Sequence, residues 1–308
     1  MPNSPKKIAI TIGDPAGVGA EVILKWAREN PRLLPFAEVI AHEKFLGLLP
    51  GAVSKRAVGD PSYEARAGSP DEHGARVAFE ALEASAAGCV SGEYAAVVTA
   101  PISKIKMRAV GFDFAGQTEF FAARWGGEPV MAFAGEKLLV SLATWHIPLR
   151  DVSSAVDFPK IARAVRAAAE LAKRAKGISE PRIGVCGINP HAGEDGILGR
   201  EEIEVVNPAL DILRAQFPNL SAALPPDTVF ERALKGEFDA VVSMYHDQGL
   251  APLKALEFDK AVNVSMNLGH LRTSPDHGTG FSIAGKGVAS AGSFAAAFDL
   301  AAKMTGIM

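Results

Sequence analysis

Cysteine is nearly absent: Cys89 and Cys186 are the only two among 308 residues. Two thiols cannot make a disulfide framework. Both stand among small or apolar residues, so they read as buried free thiols in a reducing compartment. A basic excess is missing too. Lys and Arg number 32 against 35 Asp and Glu, giving a net charge of −3 and a pI near 6.2. Nothing in that balance neutralises phosphates, which excludes a nucleic-acid binder. No apolar run reaches membrane length. "IAITIG" near the N-terminus is strand length, and "MPNSPKK" before it is short and polar rather than a leader. No internal repeat or low-complexity tract stands out. What remains is an ordinary composition, 48% hydrophobic and 22% charged, long enough for one two-lobed unit or two domains. The expected location is the cytoplasm, with no membrane and no nucleic acid as partner.

Apolar runs of strand length alternate with helical patterns. "KIAITIGDP" predicts a strand and turn, and "GAEVILKWAREN" a helix. "FAEVIAHE" and "YAAVVTAP" are further strands, separated by the long helical pattern "GARVAFEALEASAAGCVSGE". Later, "RIGVCGINP" and "FDAVVSM" are strands, and "FPKIARAVRAAAELAKRAKG" and "EIEVVNPALDILRAQ" are helices. The alternation means an α/β protein with a mostly parallel sheet. "PVMAFAG" directly before "EKLLVSLATWHIP" suggests a hairpin, and so an antiparallel part. In open α/β sheets ligands bind at the carboxyl ends of strands. Here those ends read "GDPAGVG", "TAPISK", "WHIPLRD", "GINPHAGEDG" and "MYHDQG", each of them polar or turn-forming.

"GDPAGVGAE", Gly13 to Glu21, fits neither the P-loop nor the dinucleotide glycine pattern. Gly17 and Gly19 serve a tight strand-to-helix turn, and Asp14 either caps the helix or faces a site. His146, His191 and His246 follow three separate strands with polar escorts: Arg150 and Asp151, Asn189 and Glu194, Asp247 and Gln248. A parallel sheet brings such ends together. Three imidazoles with an open position suit a catalytic divalent metal, the alternative being separate hydrogen-bonding roles. Lys254, Asn263 and Arg272 recur every nine positions. Together they either hold an anionic group, Arg offering a bidentate fork, or are solvated. "DHGTGFSIAGKGVA" is glycine-rich, either for close approach of backbone N–H groups to a ligand or as flexible turns.

In combination, "ITIGDPAGVGAE", "TAPISK", "AGQTEFFA", "TWHIPLRDV", "GINPHAGEDGILGREE", "PPDTVF", "MYHDQGLAPLK" and "VNVSMNLGHLRTSPDHGTG" resemble the 4-hydroxythreonine-4-phosphate dehydrogenase family of pyridoxal phosphate synthesis. They run in the family's order along essentially the whole chain. "HGTGFSIAGKG" is also similar to the cofactor loop of isopropylmalate dehydrogenases. The resemblance implies a two-lobed fold like that of isocitrate and isopropylmalate dehydrogenases, with mostly parallel sheets and a cleft between lobes. Residues 1–113 with 268–308 would form the domain carrying the cofactor loop. Residues 114–267 would carry metal and substrate residues and the dimer contacts.

Residue by residue, the resemblance implies that His146, His191 and His246 bind zinc, magnesium or cobalt. Gln117, Thr118, Lys254, Asn263 and Arg272 would contact a phosphorylated substrate. Asp276, His277, Gly278, Thr279, Ala284 and Gly285 would hold NAD or NADP. It further implies a homodimer with the site at the interface, where one metal ligand can come from the partner chain. Asp247 and Lys254 are the candidates for catalytic work, Asp247 as support of a metal ligand or in proton transfer. The implied reaction is oxidation with decarboxylation of 4-phosphooxy-L-threonine to 3-amino-2-oxopropyl phosphate. Two departures bear on the substrate. Gln117 stands where the family has a substrate-contacting His, and Asn267, Gly269 and His270 replace the usual residues beside the cofactor or substrate. The alternatives are a paralogue oxidising a phosphorylated tetronate or an aromatic cis-dihydrodiol carboxylate, a metal-dependent phosphohydrolase or acyl-phosphate transferase, and a non-catalytic phosphometabolite binder.

Overall fold

The computed structural model describes residues 6–308. The chain forms two compact units. One takes it as far as Pro129 and again over Leu268–Met308; the other is Val130–Asn267. In chain order the strands of the first passage are β1 (Lys7–Thr11), β2 (Ala37–Ala41), β3 (Ser54–Ala57) and β4 (Tyr94–Thr99). The second unit holds β5 (Val130–Ala134), β6 (Leu139–Leu142), β7 (Ile183–Cys186), β8 (Leu220–Leu224), β9 (Ala240–Ser243) and β10 (Val262–Met266). β11 (Leu271–Pro275) belongs to the first unit again.

In the first unit the order is β3-β2-β1-β4-β11, every neighbour parallel. In the second it is β10-β5-β6-β9-β7-β8. There β5 lies antiparallel to both β10 and β6, which is the expected hairpin, and the other pairs are parallel. Central strands are covered on both faces, so "VMAFA" and "LVSL" are buried throughout. The edge strand β3, "SKRA", alternates and carries Lys55 and Arg56, a charged edge that discourages pairing with another sheet.

Helices return the chain between parallel strands, and their ends are written locally. The helix Glu72–Ser91 starts where the Asp71 carboxylate accepts the Gly74 N–H at 2.7 Å, and it stops at left-handed Gly92. Phe158–Lys176 starts in the same way at Asp157, with Pro159 in its first turn, and stops at left-handed Gly177. Cys89 and Cys186 are buried free thiols, and burial pushes both up to about 12. Among the described residues no helix is long and apolar enough to cross a membrane.

The boundary expected after residue 113 falls instead at Pro129, because the helix Gln117–Trp125 packs into the first unit. Its Phe120 and Phe121 are fully buried and meet Phe79, Phe112, Phe114 and Trp125 in a continuous chain of ring contacts. Phe120 touches four of these rings with centroids 5.1–6.1 Å apart. Phe120→Ala is therefore expected to cost about 3–5 kcal/mol in denaturant unfolding; a loss under about 1 kcal/mol would mean that this cluster is not core.

Candidate active site

β6, β9 and β7 are neighbours and parallel, so their carboxyl ends lie along one edge of the second unit. His146 follows β6, and His246 opens the helix His246–Glu257 directly after β9. Their rings stand 5.6 Å apart, centroid to centroid. Two imidazoles sharing one ion at about 2.0–2.1 Å from each nitrogen are separated by this kind of distance. His246 Nδ1 lies 2.6 Å from an Asp247 carboxylate oxygen. The carboxylate can only accept, so Nδ1 carries a proton, and in the neutral ring it is Nε2 that offers a lone pair to a ligand. His191 is arranged alike, Nδ1 lying 2.9 Å from Glu194, and that hydrogen bond, then the carboxylate's charge, raises the imidazole pKa above its usual value. The donor chemistry fits a divalent metal.

His191 does not join the pair. Among the described residues no three His, Cys, Asp or Glu side chains gather closely enough to hold an ion. β7 brings the chain to the right edge, but the turn after it is unusual. His191, Ala192, Gly193, Glu194 and Asp195 are all left-handed, with φ between 44° and 84°, which costs roughly 1–2 kcal/mol for each non-glycine residue. The turn leaves His191 exposed on the surface. His146 is left-handed as well, at φ 50°, and such outliers cluster where function demands them.

The three strand ends are joined by hydrogen bonds behind the imidazoles. The Gln248 side chain is buried. It accepts the Met244 N–H and donates to the Gly187 carbonyl, both at 2.7 Å. Thr144 donates its hydroxyl to the Met244 carbonyl at 2.6 Å. Lys254 lies on the same helix seven positions after Asp247, hence on one face with it. Asn263 lies on β10, opposite Phe133 of β5.

In the first unit β11 pairs with β4 so that Arg272 lies across from Val97. Its buried guanidinium donates to the Thr99 hydroxyl from Nε at 3.0 Å and from Nη2 at 2.8 Å. Burial pulls its pKa down to about 10, with Glu119 opposing the fall, so it remains a cation at neutral pH. Gln117 and the buried Thr118 open the helix Gln117–Trp125, and Gln117 Nε2 donates to the Ala100 carbonyl at 3.2 Å. A buried guanidinium, a hydroxyl and a helix start drawn from β4, β11 and one helix suit an anion. Thr99 escaped sequence reading because its role depends on a strand pairing that no local pattern shows.

The glycine-rich segment after β11 is built onto the β1 turn. The Val18 N–H donates to the Thr279 carbonyl at 2.9 Å, and a Cβ at Gly17 would stand 2.8 Å from that oxygen. At Gly19 a Cβ would collide with the Ile12 carbonyl, so both glycines serve close backbone packing. Glu21 accepts the N–H groups of Gly285 at 2.8 Å and Ala289 at 3.0 Å, and reaches that of Gly287 at 3.4 Å. The expected open row of N–H donors is thus partly filled by the protein's own carboxylate. Glu21 was legible as the close of "GDPAGVGAE", but its partners lie more than 260 residues away. His277 Nδ1 donates to the Gly278 carbonyl at 2.9 Å.

Asp14 does not cap the following helix: Val18 occupies that position, and Asp14 accepts the Ala16 N–H at 2.9 Å. It is almost wholly buried, and burial, then the nearby Asp71, raise its pKa. His270 packs its ring against the edge of Trp125 at 5.3 Å, and Gly269 backs onto the Trp125 carbonyl.

Strand ends furnished with imidazoles, a buried guanidinium and a glycine-rich loop are those of a small-molecule enzyme, and similarity to known proteins narrows the class to dehydrogenases. The family model described as pyridoxal phosphate biosynthetic protein PdxA matches residues 24–301. A 4-hydroxythreonine-4-phosphate dehydrogenase from Chromobacterium violaceum is 41% identical, over 99% of this chain and 98% of that one. The crystal structure of the enzyme of that name from Klebsiella pneumoniae has a TM-score of 0.87 at 34% identity, covering 97% and 99% of the two chains. A terephthalate 1,2-cis-dihydrodiol dehydrogenase from Burkholderia xenovorans has a TM-score of 0.72 at 26% identity, covering 98% of each. The chain belongs to the PdxA family, and it is a dehydrogenase.

Gln248→Leu would leave the Met244 N–H and the Gly187 carbonyl buried without partners. The expected loss is about 2–4 kcal/mol in urea unfolding; an unchanged midpoint would mean that those bonds are replaced by water.

Proposed function

We propose that this chain oxidises 4-phosphooxy-L-threonine with NAD or NADP, with decarboxylation to 3-amino-2-oxopropyl phosphate, in pyridoxine 5′-phosphate synthesis. The names of its relatives support the substrate. The observation that carries the chemistry is the imidazole pair of His146 and His246, with Asp247 fixing the tautomer of His246. Zinc, magnesium or cobalt, when bound, supplies Lewis-acid polarisation of the reacting oxygen, and the dinucleotide supplies the hydride acceptor.

The protein's own groups do the rest. His146 and His246 would hold the ion. Arg272, Thr118, Gln117, Lys254 and Asn263 bind the anionic substrate, giving remote binding energy that orients the reacting carbon. Asp247 is committed to His246, which favours Lys254 for handling the hydroxyl proton. Asp276 to Gly285, braced by Glu21, contact the dinucleotide. His191 completes the metal site from the partner chain of a homodimer. Exposed Ile147, Leu149, Ile197, Leu198 and Ile203 beside the two histidine turns support such an interface. The bond from the Ser153 hydroxyl to Glu201 ties those two segments together.

A second reading, oxidation of a phosphorylated tetronate or an aromatic cis-dihydrodiol carboxylate, draws support from Gln117. Its Oε1 is a buried acceptor without a hydrogen-bond partner, which suits a substrate donor where a cationic imidazole would suit a phosphate, and so speaks within this reading for the unphosphorylated dihydrodiol. Purified protein supplied with NAD, divalent ions and a substrate panel tests both readings. NADH formation with 4-phosphooxy-L-threonine is expected; turnover only of a tetronate or dihydrodiol selects the second reading, and phosphate release without NADH rejects both. His246→Ala should reduce turnover to the blank rate and abolish metal binding while the circular dichroism stays native. Full turnover by that variant in the presence of a chelator would rule out the metal.

A further inference from the structure

Glu202 is 1% exposed, and its carboxylate points at the entry to the turn that carries His191. One oxygen accepts the N–H groups of Ile188 at 2.7 Å and Asn189 at 2.8 Å. The other accepts from the Asn189 side-chain amide at 3.0 Å, whose nitrogen also donates to Glu201 at 2.7 Å. All three donors belong to the two residues just before Pro190 and His191. A buried carboxylate without such donors would be strongly disfavoured, so its place and the backbone path of Ile188–Asn189 fix each other.

The turn is cut to fit this side chain. Gly193 is left-handed at φ 84°, and a Cβ there would lie 2.6 Å from Glu202 Oε2; at Gly187 it would lie 2.9 Å from Oε1. Glu202 itself opens a π-helical turn, Glu202–Val206, a geometry frequent at functional sites. Left-handed runs of non-glycine residues persist only where the surroundings over-determine them. Here the Ala192 N–H donates to the Asn189 carbonyl at 3.1 Å and the Leu198 N–H to the Gly193 carbonyl at 3.0 Å, and Glu202 is the buried side chain that fixes the entry to the run.

We propose that Glu202 is the positioning residue for His191, holding the left-handed turn in the one conformation that presents this imidazole to a metal. The inference rests on the reading of His191 as a metal ligand. It is tested with full-length His191→Ala, Glu202→Gln and Asn189→Ala, each stripped of metal and titrated with zinc against a chromophoric chelator, with circular dichroism recorded alongside. His191→Ala and Glu202→Gln should both weaken zinc binding, the latter about tenfold, as loss of a group supporting a metal ligand does. Wild-type affinity in folded Glu202→Gln, with affinity lost in His191→Ala, would overturn the brace. If Glu202→Gln does not fold, Asn189→Ala decides: a loss of about tenfold supports the brace, and wild-type affinity overturns it. An unaffected His191→Ala would remove His191 from the site, and the brace would fall with it.

Discussion

Gln248 accepts one backbone N–H and donates to one backbone carbonyl, and those two bonds hold the ends of β9 and β7 together. The Met244 end leads into His246 and the Gly187 end into His191, while Thr144 ties the strand end before His146 to the Met244 carbonyl. Ends of parallel strands have no partners of their own beyond the ladder, so their buried N–H and C=O groups must be answered by side chains or water. An amide answers one of each at once. In this way the buried polar layer that satisfies the backbone also sets the spacing of the imidazoles in front of it.

The first unit solves the same problem with carboxylates and a guanidinium. Glu21 gathers N–H groups from the glycine-rich segment, so a stretch that would otherwise be free in its φ and ψ angles is tied to the helix after β1. Arg272 is buried against Thr99, where a compact ammonium would reach the hydroxyl from one direction only. A cation at this depth keeps its charge with the Thr99 hydroxyl fixed against it, and under the proposed function an incoming anion would meet a site already arranged. Preorganisation of this kind is what an enzyme acting on a small, highly charged molecule requires.

Much of this was legible beforehand. The alternating strand and helix pattern, the β5–β6 hairpin and the crowded strand ends followed from period and turn chemistry. Asp71, Asp157, Gly92 and Gly177 mark helix ends by local rules. What escaped was non-local. The helix Gln117–Trp125 joined the first unit because Phe120 and Phe121 fit its aromatic core, which no linear pattern announces. β8, β10 and β11 interleave Ser, Asn, Arg and Thr with their apolar residues instead of forming an unbroken apolar run, so local pattern does not separate the strands carrying Asn263 and Arg272 from loops.

The sequence by itself determined the chemistry available: three histidines with polar escorts, a late run of Lys, Asn and Arg, and glycines where backbones must touch. Residue type decides what a group can donate, accept or ligate, and that is written in one dimension. Only the tertiary structure decided which of these groups meet. It paired His146 with His246 and set His191 apart on a left-handed turn, since backbone dihedrals and strand order, not spacing along the chain, decide where an imidazole stands. It also gave Glu21, Gln248 and Glu202 their partners, because a buried polar group takes its meaning from what surrounds it once water is gone.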